Sequence, residues 1–188
     1  MTGTTRVVRH KTCPRALVAL MALVLSAPAA AQSDVPQQFG LAASFQRSYA
    51  QMKRFILTQA ERMPENEYAF KPSPDVRSFG QLMGHIADYN YVFCAPARGG
   101  VNPMAATPLE NQATKAEWLR VLATSFAFCD DAVVGLTDAN ASDMVASGQN
   151  QVTRAGSLIP VLVHGYEEYG YAAVYTRLRG VVPPSTAP

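Results

Sequence analysis

Four segments of the chain place apolar residues every three or four positions, which is the spacing of one face of an α-helix. The predicted helices cover approximately residues 37–63, 78–96, 114–136 and 157–180. Ser78 and Ser157 are predicted N-caps, Pro160 is predicted in the first turn of the last helix, and Gly180 is predicted to end it. The polar residues 137–156 are predicted to be irregular, although two short stretches there have weak strand character. The chain is therefore expected to be all-α, a four-helix bundle with long connecting loops.

Two of the predicted inward-facing stripes contain residues that are unusual in a core. The stripe of the second helix consists of Ser78, Leu82, His85, Tyr89 and Val92. That of the fourth helix consists of Val161, His164, Glu168, Tyr171, Tyr175 and Leu178. A single histidine on an apolar face is usually a core residue that is satisfied by a neighbour. Two histidines together with a carboxylate one turn after the second are harder to explain in that way.

His164 and Glu168 are four residues apart, so their side chains lie about 5–6 Å apart on one face of a helix and both can reach one ion. Helical bundles build metal sites from side chains on facing helices, and His85 would supply the facing ligand. Imidazole nitrogen with carboxylate oxygen suits Zn²⁺, Mn²⁺, Fe²⁺ or Ni²⁺. The adjacent Glu167, about 100° further around the helix, is predicted to face solvent. The spacing alone is a weak motif, common by chance, and a structural role for the three residues remains the alternative.

Two longer stretches carry a resemblance to a known family. The segments SFGQLMGHIADYNYVFC and HGYEEYGYAAVYTRLRGVVPPS, together with the approach FKPSPDVRSFGQL, resemble the DinB-like family, also described as YfiT-like metal-dependent hydrolases. The resemblance implies a four-helix bundle with a long crossing connection. It also implies a three-histidine metal site, with one ligand matching His85 and two matching His164 and the position of Glu168. This chain therefore keeps two of the family's ligands and replaces the third histidine with glutamate.

The first 31 residues resemble a secretory signal peptide. Four basic residues precede a ten-residue apolar run and a small-residue A-x-A site ending at Ala31. The run is too short for a stable transmembrane anchor, although an uncleaved anchor or a disordered tail is the alternative. Removing residues 1–31 leaves 12 of the 16 lysines and arginines against 14 acidic residues, so the formal charge changes from +2 to −2. The remaining residues 32–188, predicted to form one domain, have no basic patch that would indicate nucleic-acid binding.

Cys94 and Cys129 are the two cysteines that follow the predicted signal peptide. In an oxidising compartment they can form a disulfide, and the alternative is a pair of buried free thiols. Each lies in the later part of its predicted helix. Parallel packing of the second and third helices, which a long connection permits, would bring the two residues together. We predict the disulfide.

Two functions are compatible with the sequence. The first is an exported, secreted or periplasmic enzyme, hydrolytic in type, that uses a divalent ion held by His85, His164 and Glu168. The second is a non-catalytic exported bundle with a degenerate metal site, which binds a metal, a small molecule or a protein. Relatives implied by the resemblance include thiol-dependent transferases and isomerases, but thiol cofactors are scarce outside the cytoplasm.

No nucleophile motif is present, so the catalytic residues and the substrate are not identified, and no organic cofactor is indicated. Tyr89, Tyr166 and Tyr169 could orient a substrate, but core packing is their more common role. The sequence is compatible with a homodimer and does not fix the oligomeric state.

Cleavage of the predicted signal peptide should yield a secreted or periplasmic chain that begins at or near Gln32. The intact mass of the exported protein measures this directly. Recovery of the full-length chain in the membrane fraction would contradict the prediction.

Overall fold

The computed structural model describes residues 1–4 and 37–186. Residues 37–186 form four long helices, which we label α1 to α4, and one short hairpin of strands β1 and β2. The helices are α1 (Leu41–Arg62), α2 (Phe79–Cys94), α3 (Lys115–Val134) and α4 (Arg154–Leu178), and the strands are β1 (Met144–Ser147) and β2 (Asn150–Thr153). The predicted four-helix bundle is confirmed. Apart from residues 1–4, the predicted signal peptide lies outside the described residues.

The helices begin where polar side chains can satisfy their first backbone N–H groups. Ser78 caps α2 in a capping box with Gln81, as predicted for this serine, and Thr114 caps α3 in a second box with Glu117. The start of α1 lacks a cap from its own sequence, and Asp138, from the segment after α3, accepts a 2.7 Å hydrogen bond from the Ala42 N–H instead.

The start of α4 differs from the prediction. The hairpin that precedes it runs directly into the helix, with Gly148 at φ +59° in the tight turn between β1 and β2. Thr153, the last residue of β2, therefore takes the N-cap position and accepts a hydrogen bond from the Gly156 N–H. The predicted cap Ser157 lies inside the helix, and Pro160 is its seventh residue rather than a residue of its first turn. Gly180 follows α4 at φ +77°, as expected for a residue that ends a helix.

The four helices surround one apolar core. Helix α2 packs between α3 and α4, and α1 packs against both α3 and α4 on the opposite side. Contacts between residue pairs give the directions. Between α1 and α3, Gln46 donates a hydrogen bond to Val133 O and Tyr49 to Phe126 O, so these helices are antiparallel. Between α1 and α4, Tyr166 donates to Ser48 O and Gln59 to Thr176 Oγ1, so these helices are parallel. The largest fully buried side chains are Phe79, Phe126, Met52, Ile56, Met63, Met83, Ile86, Leu122, Leu136 and Leu158.

Helices α2 and α3 are parallel neighbours, so the segment between them must return along the length of the bundle. At one end, the Trp118 ring lies where a Cβ on Gly80 would stand, and at the other end Cys94 and Cys129 are joined by a disulfide with a Cα–Cα distance of 5.3 Å. The predicted disulfide is confirmed. The return segment, residues 95–114, places Glu110 on the side of α2 that faces α4.

Some predicted core positions are exposed. Tyr89 and Val92 on α2, and Tyr171 and Leu178 on α4, each expose more than a third of their surface. The buried face of α2 instead includes Phe79, Met83, Ile86, Asn90 and Cys94. The histidine-bearing sides of α2 and α4 thus lie at the seam between these two helices rather than at the centre of the bundle. Within the described residues, no helix is both long and apolar enough to cross a membrane.

Replacing Cys94 and Cys129 with serine should lower the free energy of unfolding by about 4 kcal/mol, because the disulfide closes a 35-residue loop in the unfolded chain. Denaturant unfolding of the variant and of the exported wild-type chain measures the difference. Thiol titration of the denatured, unreduced wild-type chain should find no free thiol. Two thiols per exported chain would show that the disulfide is absent.

Candidate metal centre

Three side chains meet at the seam between the antiparallel helices α2 and α4. Glu168 Oε1 lies 3.5 Å from His164 Nε2, one turn earlier on the same helix, and 3.8 Å from His85 Nε2 on α2. One nitrogen or oxygen atom from each of the three residues lies within 4.8 Å of the corresponding atoms of the other two. The structure therefore brings together the three residues that were predicted to converge.

The spacing and chemistry of these atoms fit a divalent ion. Zinc binds histidine nitrogen and carboxylate oxygen at about 2.0–2.2 Å, so two ligands of one ion lie up to about 4 Å apart. The distances of Glu168 Oε1 from His164 Nε2 and from His85 Nε2 fall within that limit. His164 Nε2 is buried and has no hydrogen-bond partner within the described part of the chain. A buried nitrogen without a partner is costly, and an ion at this point would satisfy it.

His85 is oriented by a carboxylate that the sequence analysis did not identify. Glu110 Oε1 lies 2.8 Å from His85 Nδ1. A carboxylate accepts hydrogen bonds, so Nδ1 donates a proton to it, and in the neutral ring the lone pair is then on Nε2, which faces Glu168. A carboxylate that accepts a hydrogen bond from a ligating histidine in this way fixes the orientation of the ring.

Glu110 is itself held from two sides. Arg77 Nε donates hydrogen bonds to both of its carboxylate oxygens, at 3.1 and 3.0 Å. Gly84 allows the backbone around Glu110 to approach α2, because a Cβ on this glycine would lie 2.4 Å from Leu109 O and 2.8 Å from Glu110 Cα. The α2–α3 connection thus reaches the site because one helical position has no side chain.

Aromatic side chains cover the other side of the histidines. The Tyr89 ring stacks on His164 with centroids 4.7 Å apart, and Phe93 meets the same imidazole edge-on at 5.6 Å. The His85 and His164 rings are 5.1 Å apart. These contacts restrict the His164 ring and remove it from water.

Burial favours the uncharged forms of two of the three residues. Desolvation, and secondarily the neighbouring His85, lowers the pKa of His164 to about 4. Desolvation, with Glu167 and Glu110 adding to it and Arg77 opposing it, raises the pKa of Glu168 to about 7. His164 is therefore a neutral potential ligand at neutral pH, whereas Glu168 ionises only at the expense of stability unless a cation accompanies it.

A cavity of about 730 Å³ opens beside the site. Its lining includes Glu168 and Glu110 from the site and Arg77 from the α1–α2 connection. A cavity of this size accommodates a small molecule. Glu168, one of the three potential ligands, therefore borders a space in which a substrate could lie.

Comparison with known proteins identifies the family. The family model of the DinB superfamily matches residues 49–171, which is more than half of the chain. The chain belongs to the DinB superfamily. No curated protein sequence matches it.

Solved structures support the same DinB fold. A DinB-like protein from Bacillus cereus superposes with a TM-score of 0.61 at 13% identity, covering 76% of this chain and 95% of that one. A DinB-like protein from Bacillus subtilis gives 0.58 at 20% identity, with 73% and 92% covered. A conserved protein from Enterococcus faecalis gives 0.58 at 18% identity, with 75% and 98% covered. At these identities the likeness establishes the fold alone.

The other residues named in the sequence analysis, apart from Tyr89, make their contacts away from the three potential ligands. Glu167 is exposed, as predicted, and accepts a hydrogen bond from the Tyr171 hydroxyl. The Tyr166 hydroxyl donates a hydrogen bond to Ser48 O, and the Tyr169 hydroxyl donates one to Ser185 Oγ. Tyr166 and Tyr169 therefore contact α1 and the C-terminal segment. Of these three tyrosines, Tyr89 is the one that contacts the two histidines of the candidate site.

Arg77, Glu110 and Tyr175 are site residues to which the sequence analysis assigned no functional role. Tyr175 lines the cavity, and its hydroxyl donates a 2.9 Å hydrogen bond to Arg77 O. Arg77 and Glu110 lie in connections, where no helical periodicity indicates the direction of a side chain. Tyr175 was placed correctly on the inward stripe, and only the cavity in the folded chain distinguishes it from a core tyrosine.

In the metal-free DinB protein, Glu168→Gln should change the pH dependence of stability. Because the pKa of Glu168 rises from an ordinary value near 4.5 to about 7 on folding, the folded state binds more protons than the unfolded state between these values. The wild type should therefore lose stability relative to the variant as pH rises through this window, by up to about 3 kcal/mol.

Denaturant unfolding in a chelator from pH 4 to pH 8 measures the effect, with Glu167→Gln as the matched control. The difference between wild type and Glu168→Gln should approach its low-pH value below pH 4.5 and level off above pH 7. A difference that does not vary with pH would show that Glu168 is not desolvated.

Proposed function

We propose that this DinB protein is an exported, divalent-metal-dependent hydrolase whose ion is bound by His85, His164 and Glu168. The observation that supports this most strongly is the convergence of the three ligand atoms around a buried His164 nitrogen that lacks a hydrogen bond. Zn²⁺, Mn²⁺, Fe²⁺ and Ni²⁺ all suit this set of nitrogen and oxygen donors.

The number of ligands supports a catalytic site rather than a structural one. Structural zinc sites use four protein ligands, whereas catalytic sites use three and leave a position for water or substrate. Within the described residues, the group at this seam supplies three ligands and lies beside a cavity. An ion held there supplies Lewis acidity, which polarises a carbonyl group and makes water more acidic.

The protein's own residues prepare the site before an ion arrives. The Glu110 carboxylate holds the His85 ring with Nε2 directed to Glu168, and Arg77 holds Glu110. The lowered pKa of His164 means that no proton has to leave this ring at neutral pH. Glu168 releases its proton when the cation replaces it, so affinity should fall as pH drops below about 7.

Hydrolysis fits the sequence better than transfer chemistry. The chain has no G-x-S-x-G motif and no cysteine placed beside a basic histidine, so water is the nucleophile that this site favours. The basic, apolar and A-x-A features of residues 1–31 support export to the periplasm or medium. Thiol cofactors are scarce there, which disfavours thiol-dependent transfer.

Glu168→Ala should lose most bound metal, by at least about tenfold in affinity, because it removes one of three ligands. Glu167→Ala, an adjacent and exposed carboxylate, should bind as the wild type does. Glu168→His should retain or increase binding. The measurement is metal content and titration with Zn²⁺, Mn²⁺ and Ni²⁺ on protein purified without an affinity tag.

Equal and negligible metal content in wild type and Glu168→Ala would refute the metal site. Metal binding without metal-dependent hydrolysis across ester, amide and phosphoester substrates would refute the enzymatic part. It would leave the second function considered from the sequence, a non-catalytic exported bundle that binds a metal.

A further inference from the structure

Exposed apolar side chains gather on two sides of the cavity beside the metal centre. Val76, in the α1–α2 connection, exposes 39% of its surface, while Tyr171 and Val174 on α4 expose 52% and 51%. Scattered exposed apolar residues are ordinary, but three that line one cavity from two different segments form a local apolar surface. Covering such a surface with an apolar ligand removes it from water, which favours binding.

The deeper lining of the cavity joins this apolar surface to the proposed ligand Glu168. Leu82 and Tyr175 are buried apolar residues of the lining, and Glu168, 6% exposed, lies in it with them. A molecule with an apolar body between the walls would thus present one end to the metal centre. The volume of about 730 Å³ suits a ligand of ordinary small-molecule size.

The wall formed by the α1–α2 connection is fixed in position. Pro72 and Pro74 limit its backbone freedom. Arg77, at its end, is held through its backbone oxygen by Tyr175 and through its side chain by Glu110. Phe70, just before the wall, packs edge-on against the Tyr175 ring at 6.1 Å. A wall held in this way binds a ligand with little loss of conformational entropy.

The charges around the cavity do not favour an anionic ligand. The positive charge of Arg77 is paired with Glu110, and the other ionisable residues of the lining are Lys71, Asp75 and Glu168. The lining thus contains two basic and three acidic residues. Without a metal, an anion would meet no net positive charge here, and an uncharged polar end would meet less repulsion than an anionic one.

We propose that this cavity binds an uncharged acyl compound, an ester or amide with an aromatic or branched aliphatic body, as the substrate of the metal centre. The assignment of the compound as a substrate rests on the proposed hydrolytic function. In the reaction, the oxygen of water bonds to the acyl carbon and the acyl C–O or C–N bond breaks. The leaving atom takes one proton of the water, and the carboxylic acid product releases the other.

The proposal is tested on the exported chain in a chelator, so that binding does not depend on a metal. The probe is 4-phenylbutyramide, compared by calorimetric or NMR titration with butyramide, which lacks the ring, and with 4-phenylbutyrate, which carries a charge. Burial of the ring should make 4-phenylbutyramide bind at least about tenfold more tightly than butyramide. It should also bind more tightly than 4-phenylbutyrate.

Two valines of α4 provide matched variants. Val174→Glu places a charge in the cavity wall and should weaken 4-phenylbutyramide binding by at least about tenfold. Val163 is also exposed, at 64%, but does not line the cavity, so Val163→Glu should bind the probe as the wild type does. Both positions are on the surface, which limits any effect on folding.

Equal binding of 4-phenylbutyramide and butyramide, or equal effects of the two valine variants, would overturn the proposal, and tighter binding of 4-phenylbutyrate would overturn the uncharged ligand. Because the titrations use metal-free protein, their failure does not affect the metal site. Conversely, the separate metal titration could show that the protein binds no metal, which would refute the proposed hydrolase. A positive result with 4-phenylbutyramide would then still support the binding cavity.

Discussion

A carboxyl group buried against two imidazole rings is the feature on which the rest of the site depends. Glu168 is 6% exposed, and desolvation raises its pKa to about 7. A buried charge without a partner is unfavourable, and a buried imidazole nitrogen without a hydrogen bond adds to that cost. Folding of the metal-free chain thus leaves two polar groups poorly satisfied at one point. A divalent ion bound by these groups would satisfy both.

The surrounding fold supports this arrangement from several distant parts of the sequence. Helices α2 and α4 supply the three potential ligands, but the orientation of His85 depends on Glu110, which lies in the connection between α2 and α3. That connection is long because α2 and α3 are parallel, with the Cys94–Cys129 disulfide near one end. It closes on α2 where Gly84 leaves space for its backbone. The packing of the bundle and the electrostatics of the site are therefore linked.

The periodicity of apolar residues predicted the four helices and placed His85, His164 and Glu168 on inward stripes, and the family resemblance indicated that the three residues form one site. Each of these residues lies on a helix, where sequence spacing determines direction. The predicted stripe failed at Tyr171 and Leu178. Alternating steps of three and four average 3.5 residues, while a helix turns every 3.6, so the stripe shifts by about 20° with each seven residues. Tyr171 and Leu178 follow His164 along the outer edge of the stripe and leave the buried face, whereas Tyr175, on its inner edge, stays buried.

The parts of the site that were not predicted have no such periodicity. Arg77 and Glu110 lie in connections whose paths depend on tertiary contacts. Residues 137–156 were expected to be irregular, but strand β2 lies there and ends at Thr153, which caps α4 in place of Ser157. The hairpin has two strands of four residues each, too short for an alternating pattern to be distinguished from loop sequence. Local pattern thus predicted which residues face the site, whereas the residues that orient them emerged only from the folded chain.

The most direct test of the metal centre is anomalous X-ray diffraction from crystals of the exported protein grown with Zn²⁺, collected on both sides of the zinc absorption edge. We predict one anomalous peak at the α2–α4 seam, with His85 Nε2, His164 Nε2 and a Glu168 oxygen at about 2.0–2.2 Å. The hydrogen bond between His85 Nδ1 and Glu110 should be retained. Crystals that contain zinc only at other positions, with the three side chains unligated, would contradict the account.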